Sequence, residues 1–219
     1  MNLNKQTLSE QIYQILRTDI LSQSIPCGSK LTLKMLQERF GVSSTPIREA
    51  LTRLIDEQLI TYYSNVGVSV VSLDQEDIHE IYHFMGDLDS LAIHYASQFP
   101  DQEQILEKLE ENLSLTKNCA YTSPQWQEYS DQFHLLFYCY CQNSRLVHSA
   151  ERMRSQMSIM AYQYEKQPQI QKAILKEHQE IFGLYQSRQY DEAAALMKEH
   201  LLHSLAYAEE ILSGVPASQ

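Results

Sequence analysis

The sequence predicts a mainly α protein in two parts, a three-helix module closed by a β-hairpin and a larger bundle of six helices. Three observations predict it. Apolar residues recur at helical spacing through most of the chain. The period changes only after Leu59, where LITYY and VSVVSL are rich in β-branched and aromatic residues. A mostly polar segment, SLDQED, follows that change. The boundary is placed there, giving a first domain over residues 1–72, a second over 73–213 and a tail over 214–219.

In the first part, Leu8, Ile12, Ile15, Leu16 and Ile20 share one helical face, and Pro26 with Gly28 ends that region. A short second helix follows Thr32 and carries Leu33, Leu36 and Phe40, after which Gly41 supplies a tight turn. The third helix holds Ile47, Ala50, Leu51, Leu54 and Ile55, the i, i+3, i+4, i+7, i+8 pattern of a helix buried on one side. Ser64-Asn65-Val66-Gly67 has the residues of a hairpin turn. From Asp74 onward the pattern is helical throughout. Pro100, the polar stretch ending at Pro124, Asn143-Ser144, Gln167-Pro168 and the run from Arg188 to Asp191 divide it into helices near 74–98, 101–117, 124–142, 144–166, 168–187 and 190–213.

Composition narrows the function. A chain of 219 residues with 43% hydrophobic and 21% charged residues has enough apolar matter for two ordinary globular cores. No apolar run approaches the roughly 20 residues that span a bilayer, and MNLNKQTLSEQ lacks a signal-peptide core, so a cytoplasmic protein without a membrane partner is expected. The four cysteines form no C-x-x-C pair and read as reduced thiols. Residues 1–72 carry seven Lys/Arg against six Asp/Glu, whereas the chain as a whole has 17 against 28. A polyanionic partner would therefore meet only the first part.

A short helix, a glycine turn and a second helix buried on one side make a helix-turn-helix, and the following hairpin makes it winged. Ser43 or Ser44 can cap the third helix, and Pro46 sits in the first turn, where its missing N–H costs nothing. The outward ridge is then Ser44, Thr45, Arg48 and Thr52, with Arg53 beside it. Hydroxyls and helix N-terminal amides suit phosphate oxygens, while a guanidinium matches guanine O6 and N7, which makes Arg48 the candidate base reader. Asn65 to Gly67 would lie over the adjacent groove as the wing.

The segment GSKLTLKMLQERFGVSSTPIREALTRLIDEQLITYYSNVGVSVV resembles the winged helix-turn-helix of GntR-type bacterial transcription regulators, whose signature runs L-x-x-x-x-G-V-S-x-x-P-V-R-E-A-L-x-x-L. The resemblance implies double-stranded DNA as partner and adds Lys34 and Thr45 as DNA contacts. Ser44 stands where the family commonly has arginine, so a different preferred operator is expected. The helical part is similar to the FCD effector-binding domain of the FadR-type members, in its shorter six-helix form.

All eight histidines lie after residue 72. His134 shares a helical face with Phe137 and Tyr138, His178 with Ile174, Ile181 and Tyr185, and His200 with Ala193, Leu196 and Tyr207. Imidazoles entering a bundle core from several helices are suited to a divalent metal, zinc by default, with nickel or another ion as alternatives. Metal-binding FCD members use an Asp-x-x-x-His motif with two later histidines. Here Ser130 occupies the aspartate position and Asp131 stands three residues before His134, on the same side, as the candidate fourth ligand. The resemblance further implies a homodimer and a small-molecule effector, an organic acid. Met85 replaces the arginine that often pairs with the effector carboxylate, and Arg152 and Arg154 are candidates to substitute. A metal-sensing repressor and a metal-dependent helical enzyme are the two rival readings. The enzyme is disfavoured because Glu177 and Glu199, the only glutamates adjacent to these histidines, point about 100° away along their helices.

Overall fold

The computed structural model describes residues 6–63, 67–121 and 123–213. Asn65, assigned to the wing, and residues 214–219, assigned to the tail, lie outside the described residues. The chain divides into two compact units, Met1–Asp74 with Glu151–Ile159, and Gln75–Ala150 with Met160–Gln219. The first unit thus leaves the N-terminal part of the chain inside SLDQED, and it also gathers the middle of a later helix.

In the first unit, α1 (Leu8–Leu21) starts at Thr7, whose hydroxyl accepts the Glu10 N–H at 3.1 Å. Helix α2 (Leu33–Phe40) is capped the same way by Thr32 and ends at Gly41, whose φ of 66° lies in the left-handed region. That conformation turns the chain sharply into α3 (Ser44–Asp56) and is cheap only for glycine. Helix α3 buries Ile47, Ala50, Leu51 and Leu54 and packs on α1, whose Leu16 and Ile20 are fully buried. Strands β2 (Ile60–Tyr63) and β3 (Gly67–Val70) pair antiparallel, with Ile60 opposite Val70. A short strand β1 (Lys30–Leu31) adds to the free edge of β3, so the sheet order is β1-β3-β2. Two residues are too few to show any alternation, which is why β1 was not legible in the sequence.

The second unit is helical: α4 (Gln75–Ala96), α5 (Gln102–Asn118), α6 (Pro124–Tyr140), α7 (Ser144–Tyr164), α8 (Pro168–Gln186) and α9 (Tyr190–Ser213). Proline opens α6 and α8, and Asp101, Ser123 and Asn143 cap α5, α6 and α7 through their side chains. Helices α4 and α9 pack along each other. Gly86 permits this approach, since a Cβ there would meet Lys198 Cγ at 3.3 Å. Among the described residues no strand follows Val70. The stretch Glu151–Ile159 of α7 belongs to the first unit, while the ends of the same helix belong to the second.

Replacing Gly41 with alanine should destabilise the first unit by about 1 kcal/mol, the cost of forcing a side chain into the left-handed region. Urea unfolding followed by circular dichroism measures this, and an unchanged midpoint would show that the turn tolerates a Cβ.

Candidate nucleic-acid interface and metal centre

Ser43 occupies the N-cap position of α3, but its side chain makes no capping hydrogen bond, contrary to the expectation that Ser43 or Ser44 would close the helix. The first-turn amides of α3 therefore keep their donors, beside an exposed Ser43 hydroxyl and an exposed Thr45. Thr7 and Ser9, at the start of α1, share one shallow concavity with Ser43, Thr45 and Glu49. Sequence reasoning missed these two hydroxyls because only folding brings α1 beside the start of α3.

Farther along α3, Arg48 is exposed, and among the described residues its guanidinium has no ion-pair partner. Thr52 is exposed too and donates its hydroxyl to the Arg48 carbonyl at 2.9 Å, which leaves the Thr52 oxygen able to accept. Arg48, Thr52, Tyr62 and Gly67 line a single groove between α3 and the sheet. Lys34 on α2 is exposed, and Ser44 is half-buried. Arg53, expected beside the outward ridge of α3 as a DNA contact, is engaged within the domain. Its guanidinium pairs with Glu10 and lies 3.7 Å from the centre of the Tyr13 ring, so it fastens α3 to α1. Tyr13 in turn donates to Glu57, and burial followed by that bond pushes its phenol up to about 12.

In the second unit three imidazoles meet. His134 on α6, His178 on α8 and His200 on α9 are all buried, and each offers a ring nitrogen within 4.8 Å of the others. His178 Nε2 stands 3.2 Å from His134 Nε2 and 3.2 Å from His200 Nε2. Two imidazoles bound tetrahedrally to zinc at about 2.0–2.1 Å hold their nitrogens roughly 3.3 Å apart, so the spacing fits the ion.

Carboxylates behind the rings decide which nitrogens face inward. Asp89 Oδ2 on α4 is 2.8 Å from His134 Nδ1, and its Oδ1 accepts the Tyr138 hydroxyl at 2.6 Å. Glu177 Oε2 is 2.6 Å from His200 Nδ1, and its Oε1 is 2.8 Å from Nδ1 of the exposed His203. An Nδ1–H donated to a carboxylate fixes the tautomer and turns the Nε2 lone pair to the centre. Burial raises the Glu177 pKa, but hydrogen bonds and charge from His200 and His203 outweigh it, and the net shift is downward. Stacking holds the third ring, since His178 lies 4.2 Å from Phe133 with 15° between their planes.

Sequence reasoning missed Asp89, Glu177, Tyr138 and His203. Asp89 did leave a signal: it is an ionisable residue on the α4 face formed by Met85, Gly86, Leu88, Ala92 and Ile93. Glu177 does point away from its neighbour His178, and it points at a histidine on another helix. Asp131 is not part of the converging group, and its charge instead acts on Glu165. Arg152 is exposed and Arg154 is buried, and both fall in the stretch that clusters with the first unit.

The sequence pattern of bacterial regulatory proteins of the gntR family matches residues 8–70, and that of the FCD domain matches residues 80–203. The chain belongs to the GntR family, with an FCD domain behind its DNA-binding domain. It is therefore a transcription regulator and not an enzyme. Among its relatives, the HTH-type transcriptional regulator YdhC of Bacillus subtilis is 26% identical over 92% of this chain and 91% of the relative. The HTH-type transcriptional repressor GlaR of Escherichia coli is 21% identical over 92% and 96%. Among solved structures, E. coli McbR/YncC superposes with a TM-score of 0.72 at 19% identity, covering 94% of this chain and 99% of that one, which supports the fold. No described helix is long and apolar enough to cross a membrane.

If Asp89 sets the His134 tautomer, Asp89→Asn should weaken Zn²⁺ binding about 10–100-fold, the usual effect of losing an outer carboxylate. Competition against a chromophoric chelator measures it, and unchanged affinity would remove Asp89 from the centre.

Proposed function

We propose that this GntR-family regulator binds a palindromic operator as a homodimer and that a small organic acid, held near a divalent metal in the FCD domain, sets its DNA affinity. The observation that carries the reading is the inward convergence of three imidazole nitrogens, two of them backed by carboxylates. His134, His178 and His200 would hold the ion, zinc before nickel. Three neutral ligands leave coordination positions open, and the bound ion would supply positive charge for a carboxylate there.

At the DNA, Arg48 is the base reader, supported by its exposure and the lack of an ion-pair partner among the described residues. Ser43, Ser44, Thr45 and Lys34, with Thr7 and Ser9, are the phosphate contacts, and Thr52 and Gly67 border the groove. Arg53 is a positioning residue for α3. Helix α4 presents Phe84, Leu91 and Tyr95 outward on one stripe, and a second copy covering that stripe would give the two-fold symmetry that a palindrome mirrors. A tenfold change in operator affinity needs about 1.4 kcal/mol of differential effector binding.

A second reading, in which the metal itself is the signal, is favoured by one feature. An ion at the centre would tie α6, α8 and α9 together without any organic ligand. Operator affinity measured with zinc alone, and then with zinc plus carboxylic acids, separates the two.

Arg48→Ala should remove about 1–3 kcal/mol of discrimination between operator and unrelated duplex in a gel shift. Retained discrimination would rule Arg48 out as base reader. Leu91→Asp should shift the protein toward monomer in sedimentation equilibrium and weaken operator binding, whereas a dimer that survives it would place the interface elsewhere.

A further inference from the structure

The FCD domain contains a second cavity, of about 290 Å³, that the histidine centre does not use. Tyr121, Ser123, Gln127 on α6, Tyr162, Glu165 and Lys166 around the end of α7, and Gln171 on α8 wall it, and none of the three histidines is among its lining residues. Its volume is near the lower end of ordinary ligand sites.

Two walls end in buried acceptors that have no donor among the described residues. Gln171 is only 2% exposed. Its amide N–H donates to the Tyr121 carbonyl at 2.9 Å, which fixes the amide orientation and leaves Oε1 buried without a partner. Glu165 repeats the pattern. Ser130 hydrogen-bonds to its carboxyl, yet Oε2 is buried and unpartnered. Buried acceptors are nearly always satisfied, so two beside one cavity call for a donor from outside the chain.

The surrounding charge selects the kind of donor. Asp131 on α6 acts on Glu165, so the site holds two carboxyl groups. The Lys166 ammonium, at the rim of the cavity, donates to Gln163 Oε1 at 3.2 Å and lies 4.6 Å from the centre of the Tyr162 ring. Lys172 Nζ stands 5.8 Å from the Tyr121 ring. Both tyrosines thus already present faces that accept ammonium groups. Burial first, and then the charge of Asp131, push the Glu165 pKa well up, so a cation brought against it would favour its ionised form and release its proton.

We propose that this cavity is a second ligand site and takes a small molecule carrying a primary ammonium group, with Glu165 Oε2 and Gln171 Oε1 accepting two of its N–H bonds. A carboxylate would set its oxygens against the Gln171 acceptor, so an ammonium is the better match to the site. The proposal does not rest on that centre. Ser130 acquires a use here as the donor that holds Glu165.

The test is isothermal titration of the full-length protein with n-butylammonium, with butyrate and butyramide as the anionic and neutral counterparts. Saturable binding of n-butylammonium is expected, with butyrate silent and butyramide at least tenfold weaker. Glu165→Gln should weaken n-butylammonium binding at least tenfold. Gln171→Met, which removes the other acceptor, should weaken it severalfold and serves if the first variant does not fold. Titration in two buffers of different ionisation heat should show proton release on binding, from Glu165. The other titratable groups facing it are Asp131, Lys166, Tyr121 and Tyr162. Absence of n-butylammonium binding, meaning that water alone fills the cavity, would overturn the proposal, as would equal binding by both variants or competition from butyrate. Zinc content and operator binding of the wild-type protein without amine report on the preceding reading separately.

Discussion

The chemistry of the FCD domain depends on one buried carboxylate. Asp89 stands on a helix face otherwise apolar, and a carboxylate there costs several kcal/mol unless its oxygens are paired. His134 Nδ1 and the Tyr138 hydroxyl meet them, so α4 is tied to α6 at a fixed register and the far side of the His134 ring is committed to the centre. Glu177 repeats the arrangement between α8 and α9, with the exposed His203 sharing its second oxygen. Two carboxylates from outside the trio thereby decide the direction of two of its three imidazoles.

The DNA-binding domain is organised by a different constraint, the one-sidedness of α3. Its four buried apolar residues anchor it to α1, and Arg53, bound to Glu10 and stacked on Tyr13, completes that attachment from the flank. Arg48, Thr45 and Ser43 are left outward because nothing inside claims them. The missing capping bond at Ser43 belongs to the same economy, since a helix start without a side-chain acceptor keeps its amides for an anion.

The two candidate ligand sites have opposite chemistry. The histidine centre gathers donors of lone pairs that suit a metal and, through it, an acid. The Glu165 cavity gathers acceptors that suit a base. Ser130 and His134 lie on neighbouring turns of α6, so one helix borders both, and each ligand would act on the same short stretch of backbone.

The sequence by itself determined the helices, the domain order, the exposure of Thr45, Arg48 and Thr52 on α3, and the three histidines. Each of these rests on periodicity, capping residues or a local motif, which neighbours in the chain specify. Helix limits from Pro124, Pro168 and Asn143 were legible for that reason. What only the tertiary structure decided were partnerships between distant residues: Asp89 with His134, Glu177 with His200 and His203, Arg53 with Glu10, Glu165 with Ser130. Asp131 shows why. Three residues before His134 it shares the helix face, but the direction of an imidazole is set by whichever carboxylate reaches its other nitrogen, and that group, Asp89, stands 45 residues earlier on another helix.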